Sequence, residues 1–241
     1  MDIKILNLNC WLFPYPFSVK NKDRLDSLII FIKKTRPDII TLQEVWSNKY
    51  IVYLKEHLNE YIFTYSKSKF FNKTGLVTIT KDKPSYHKIK SFPLTKSHNF
   101  TELIFNKGYI ETDVNFLKYR LKIINTHLYA PFSKSAKHIT KDQFKSIIKK
   151  IDNKSFLCGD FNLDLDEIKE LSSNTNILTE GRITRSNKNS YTMKMFNIFF
   201  SHRDSSIDHI ITKRKLIRFK SKIIKRPLFS DHYAISCEVK L

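Results

Sequence analysis

Apolar residues recur along the chain in two periods, and the switching between them lays out the elements. Leu25, Leu28, Ile29 and Ile32 stand at i, i+3, i+4 and i+7, so residues 21–34 are expected to form an amphipathic helix. A second helix is expected from near Thr140, where Thr140 and Gln143 make a capping-box pair and Phe144, Ile147, Ile148 and Ile151 an apolar stripe. Shorter helices fit residues 48–58 and 164–172. Period-two or wholly apolar runs predict strands at 3–9, 39–42, 61–65, 76–80, 86–92, 109–115, 121–125, 156–158, 207–212, 219–224 and 233–239. Strand runs with helices between them imply packed sheets with helices outside, an α/β arrangement.

Five of these runs end, or in one case begin, on polar groups with no period of their own. Asn9, Gln43-Glu44, Thr126-His127, Gly159-Asp160-Phe161-Asn162 and Ser230-Asp231-His232 put amides, carboxylates and imidazoles at strand ends. Such groups are costly to bury unless they meet a metal or one another, and the pattern reads as a metal-assisted hydrolase. Glu44 closes an apolar strand beside Trp46, where a hard divalent cation with oxygen ligands would compensate its charge; a carboxylate that merely starts a helix is the plainer alternative. Asn162, two residues after Asp160, would share its face in an extended segment. A lone strand histidine is more often a satisfied core residue, and His209 is read that way.

In order and local wording, LNLNCW, PDIITLQEVW, NTHLYA, CGDFN, SSIDHI and FSDHYAISCEV resemble the endonuclease/exonuclease/phosphatase superfamily over nearly the whole chain. The resemblance implies a four-layer α/β sandwich of two mixed, mainly antiparallel β-sheets flanked by helices. It also implies Mg2+ or Mn2+ as cofactor and hydrolysis of a phosphodiester by an in-line water. It assigns Glu44 as main metal ligand, with Asn9 and Asp231 on the metal side. Asp160 positions or deprotonates the water, Asn162 contacts the phosphate, and His127 binds the scissile phosphate. His232 is the acid–base group, paired with Asp208. A relic kept only as a binding module would have lost some of these residues, and all eight are present.

Composition narrows the class without naming a substrate. The 241 residues are 41% hydrophobic, enough for one large sandwich, and residues 1–241 are read as a single catalytic domain. Four glycines in no phosphate-loop arrangement argue against a nucleotide site. No secretory leader or membrane-spanning stretch is apparent, and Cys10, Cys158 and Cys237 have no metal-ligand spacing. An intracellular, cytoplasmic, monomeric protein with reduced thiols is expected. The formal charge of +20 points to an anionic substrate, either nucleic acid or phospholipid at a membrane surface; scattered lysines of compositional origin would give the same number. Residues 213–226 hold eight cations and no acid, although alternating Ile and Lys also suits a guarded edge strand. In wording, LNLNCWLFPYP, residues 23–46 and HLYAP resemble neutral sphingomyelinases, and that resemblance implies a lipid headgroup phosphodiester, with a nuclease as the alternative. Phe70-Phe71 and the aromatics at 196–200 are expected in the core rather than as interfacial wedges. Tyr109 and Tyr129 are candidates for an aromatic group beside the phosphate.

Overall fold

The computed structural model describes every residue except 1, 14, 70, 95–105, 132, 192–203 and 216–217. It contains β1 (Asp2–Leu12), α1 (Asn21–Thr35), β2 (Ile39–Val45), α2 (Asn48–His57), β3 (Ile62–Tyr65), β4 (Val77–Thr80), β5 (Tyr86–Ser91), β6 (Gly108–Phe116) and β7 (Tyr119–His127). There follow α3 (Lys137–Ile148), β8 (Ser155–Asp160), α4 (Leu165–Leu171), β9 (Asn176–Ile177), β10 (Asp208–Thr212), β11 (Arg218–Ile224) and β12 (Ala234–Lys240).

The strands form two six-stranded sheets, ordered β11-β12-β1-β2-β4-β3 and β5-β6-β7-β8-β10-β9. Each has one parallel pair, β1 with β2 and β7 with β8, and antiparallel neighbours elsewhere. The two orders superimpose term by term, with β1 matching β7, β2 matching β8, and α1 and α3 as the matching crossovers. The sequence shows no repeat, yet the topology has one.

Strand alternation sorts the side chains into three apolar layers. Leu6, Leu8, Leu12, Ile40 and Leu42 meet Leu25, Leu28 and Ile32 of α1 and Ile51 and Leu54 of α2. Ile3, Ile5, Ile39, Ile123, Phe156 and Ile235 fill the space between the sheets. Ile124, Leu157 and Ile211 meet Phe144 and Ile147 of α3 and Ile168 of α4. The result is the expected four-layer sandwich.

Two local expectations are corrected. Thr140 and Gln143 do not cap a helix: α3 begins three residues earlier, and the pair grips Tyr129, Thr140 Oγ1 donating to its carbonyl at 2.9 Å and Gln143 Oε1 accepting from its N–H at 2.8 Å. Phe71 is exposed rather than in the core, while Phe70 and residues 196–200 lie outside the described residues. β11 is the edge strand that alternating Ile and Lys allowed, and the basic stretch is spread along its length. Lys213 and Arg214 follow the far end of β10, whereas Lys225 and Arg226 sit at the end where β12 begins.

Candidate active site

On the faces where the sheets meet, each central strand changes from apolar to polar towards one end. β1 runs Ile3, Ile5, Asn7, Asn9; β2 runs Ile39, Thr41, Gln43; β7 runs Leu121, Ile123, Asn125, His127; β8 runs Phe156, Cys158, Asp160. Because β1 and β2 are parallel, as are β7 and β8, all four polar ends lie at carboxyl ends. Registers place Asn9 opposite Gln43 and His127 opposite Asp160. The topological match therefore makes Asn9 the counterpart of His127, and Asn7 that of Asn125.

A buried amide layer forms the floor. Asn7 Oδ1 accepts from Thr41 Oγ1 at 2.8 Å and from Gln43 Nε2 at 3.0 Å, and Gln43 Nε2 also donates to Asn125 Oδ1 at 2.8 Å. Asn125 Nδ2 donates to the Leu42 and Val77 carbonyls at 3.1 and 3.0 Å. These bonds cross from one sheet to the other directly beneath the carboxylates.

Glu44 reaches the interior by a break in strand geometry. Even-numbered Ile40 and Leu42 face the helices, but the β1–β2 register slips between Asn9 and Leu12, and Glu44 has φ 56°. This bulge and left-handed residue turn the carboxylate inward, a strain of the kind concentrated at functional sites. Asn9 Nδ2 then donates to Glu44 Oε1 and to Asp160 Oδ2, both at 2.9 Å, while its Oδ1 accepts from Trp11 N at 3.1 Å. Asn9 thus presents an NH2 group that holds two carboxylates together.

His127 Nε2 is 3.4 Å from Asp160 Oδ2 and 3.9 Å from Glu44 Oε1. His232 Nδ1 is 2.8 Å from Asp208 Oδ2, and its Nε2 lies 4.0 Å from Asp160 Oδ2. Asp160 Oδ1 accepts from the Asn162 N–H at 3.1 Å. Asn162 is not extended: at φ 50° its side chain swings to the Leu128 carbonyl, 3.0 Å away. Asp231 is fixed by Ser230 Oγ at 3.1 Å and Arg185 at 3.8 Å. Among the described residues two sets of groups are close enough to share a cation, Glu44 with His127 and Asp160, and Asp160 with Asp208 and His232. Asp231 falls outside both.

The electrostatics follow from burial. Desolvation, reinforced by Asp231, pushes Glu44 up to about 7 despite the Asn9 bond. Desolvation and Asp208 also raise Asp160. Desolvation, with Lys107 and His232, holds His127 well below its usual value, so it is neutral. Burial alone would lower His232, but Asp208, Asp231 and Asp160 outweigh it and lift it to about 10. Carboxylates crowded to the point of taking up protons fit a divalent cation, which relieves their repulsion by charge and not by protonation.

Two cations escaped the sequence reading. Lys107, buried just before β6, donates to the Leu128 carbonyl at 3.1 Å and lowers Glu44 and Asp160. Arg24 is 2% exposed and donates to the carbonyls of Val19, Cys10, Phe229 and Trp11 and to Asn21 Oδ1, at 2.6–3.0 Å. It ties the end of β1 to the segment that enters Ser230-Asp231-His232. Its place one turn before Leu28 on the apolar stripe was the available signal. His209 is a core residue, held by Thr179 Oγ1 and the Ser206 carbonyl at 2.8 Å each. Tyr109 packs against Phe92 in the layer between sheet and helices. No helix among the described residues is long and apolar enough to cross a membrane.

The chain is 27% identical over 226 residues to sphingomyelin phosphodiesterase 2 of Mus musculus, an alignment covering 85% of this chain and 53% of that protein. It thus spans about half the length of that relative. Among solved structures, a D. rerio TDP2 complexed with single strand DNA product has TM-score 0.79 at 19% identity, covering 100% of this chain and 99% of that one. Sphingomyelinase C from Streptomyces griseocarneus has TM-score 0.79 at 15% identity, with full coverage of both chains. Likenesses at these identities establish the fold. Residues 6–232, which include every group of the site, match the Endonuclease/Exonuclease/phosphatase family, and the chain belongs to that family.

Proposed function

We propose that the protein hydrolyses the headgroup phosphodiester of a phospholipid, using a divalent cation, Mg2+ or Mn2+. The observation that carries this reading is the meeting of Glu44, His127, Asp160, Asp208 and His232 from both sheets in one buried cluster. Glu44 and Asp160 would hold the cation, Asn9 keeps the two carboxylates in place, and Asp231 stands beside them. The bound cation would neutralise phosphate charge and stabilise the leaving oxygen.

The protein's own groups account for the proton and the orientation. Asp208 fixes His232 Nδ1, leaving Nε2 as the atom that gives or takes a proton. Asp160 Oδ2 lies between the two imidazoles, where it can orient an attacking water. Neutral His127 and buried Lys107 face the phosphate with a donor and a positive charge. Asn162 stands at the rim as a further phosphate contact. The buried, unpaired Cys10, Cys158 and Cys237 suit a reducing, intracellular compartment.

The lipid assignment is supported by the sequence relatives, which are sphingomyelin phosphodiesterases across most of this chain. The nuclease alternative draws on the +20 charge, but the basic stretch at 213–226 divides between the two ends of β11 and does not gather at the site. The test pairs two assays: phosphocholine release from sphingomyelin vesicles, and nicking of supercoiled plasmid at near-physiological salt, each with His232→Ala as blank. Cation-dependent release by wild type alone is expected. Nicking without release would replace the lipid reading with a nuclease.

A further inference from the structure

Three of the loops at the catalytic end share one composition. Residues 13–20 leave the carboxyl end of β1, residues 128–136 leave that of β7, and residues 66–76 join β3 to β4 at the same end. Together they contain no Asp or Glu, while carrying Lys20, Lys67, Lys69, Lys73 and Lys134. Two of them also display bare aromatic rings. Tyr15 is 84% exposed, Phe17 61% and Phe71 60%; of the other aromatic rings among the described residues, only Tyr86 is comparably bare, at the opposite end.

These rings stand on anchored bases. The Phe13 ring packs on Trp46 with centroids 5.9 Å apart, and Asn21 Nδ2 donates to the Phe13 carbonyl at 2.8 Å. Phe71 bridges Ser47, and Asn72 donates to the Trp46 carbonyl at 2.8 Å and the Val45 carbonyl at 3.0 Å. Both loops are therefore fastened to the three residues that follow Glu44. With more than half of each ring in water, Tyr15, Phe17 and Phe71 point outward to a surface and not into a small-molecule pocket. Aromatic rings interleaved with lysines and free of acids match a surface whose outer layer is anionic and whose next layer is apolar.

We propose that Tyr15, Phe17 and Phe71, with the flanking lysines, seat the catalytic end on an anionic phospholipid bilayer, the rings entering between headgroups. This rests on the phospholipid reading above, and names the surface by which the site meets its substrate. Each ring that leaves water for the acyl boundary strengthens partition about tenfold, and each lysine near the anionic surface about fivefold.

The test uses the full chain carrying His232→Ala, which removes turnover. It should co-sediment with phosphatidylcholine–phosphatidylserine vesicles, and Tyr15→Ser, Phe17→Ser and Phe71→Ser added together should weaken partition about a hundredfold or more. With His232 intact, the same three changes should leave the unfolding midpoint and the hydrolysis of soluble bis(p-nitrophenyl) phosphate unaltered, and depress only hydrolysis of vesicle lipid. Equal partition by the triple variant, or no vesicle binding by its parent, overturns the proposal. So does loss of single-stranded oligonucleotide binding in the triple variant with vesicle binding intact, which would assign the rings to base stacking. Vesicle binding by a protein that cleaves no phosphodiester would instead remove the catalytic reading and leave the docking surface standing.

Discussion

His232 can act only through Nε2, because Nδ1 is bonded to Asp208, and its elevated affinity for a proton equips it to protonate a leaving oxygen. His232→Ala should lower kcat for bis(p-nitrophenyl) phosphate by about a thousandfold with the fold intact by circular dichroism; near-full activity would remove the assignment. Lys107 calls for a different measurement. Its charge lowers Glu44, so Lys107→Met should raise Glu44 further and move the acid limb of the kcat/KM–pH profile upward by up to about one unit. An unmoved limb would mean that Glu44 ionisation does not control the rate. Motifs made His232, Glu44 and Asp160 legible because each ends or opens a patterned run. A single lysine before a strand looks like any other of the 43 Lys and Arg residues, and only the fold shows that Lys107 is buried.

Elements place these residues by repetition of a device, a parallel pair whose carboxyl ends carry the polar groups. The pairs are joined face to face by the Asn7–Gln43–Asn125 amides, so the spacing of the carboxylates depends on bonds beneath them. Asn125→Leu would strip partners from Gln43 and from the Leu42 and Val77 carbonyls, all buried, and should cost about 3 kcal/mol in urea unfolding. A loss below about 1 kcal/mol would mean that water or relaxation replaces the clamp. Asp164→Ala, which removes the capping box of α4, should cost about 1 kcal/mol. Most of this layer was readable: the helices expected over 21–34, 48–58 and 164–172 correspond to α1, α2 and α4, the first from its apolar period. Thr140 and Gln143 misled because a capping pair and a tertiary grip on a neighbouring backbone use the same atoms. β9 has two residues, too few for any period, and the matching of the two sheets resides in connection order alone.

For the whole molecule, a site that concentrates buried charge between two sheets sets activity against stability. Glu44 binds its proton more tightly folded, about 7 against an ordinary 4.5, so the stability that it contributes is present at low pH and is lost as pH rises through about 7. His232, raised from 6.5 to about 10, contributes stability that is full below 6.5 and lost as pH rises towards 10. Both act in the same direction, so in EDTA the unfolding midpoint should fall between pH 6 and pH 9. For a chain of this size a loss of about 2 kcal/mol corresponds to roughly 5 °C. A cation held by Glu44 and Asp160 competes with their protons, so its binding strengthens as they ionise, and binding to the folded state alone raises the midpoint. Saturating Mg2+ should therefore raise the midpoint more at pH 8 than at pH 6, with EDTA restoring the lower value. A Mg2+ effect equal at both pH values would place the cation away from Glu44, and a midpoint that rises with pH in EDTA would show that the buried carboxylates are not crowded as the geometry implies.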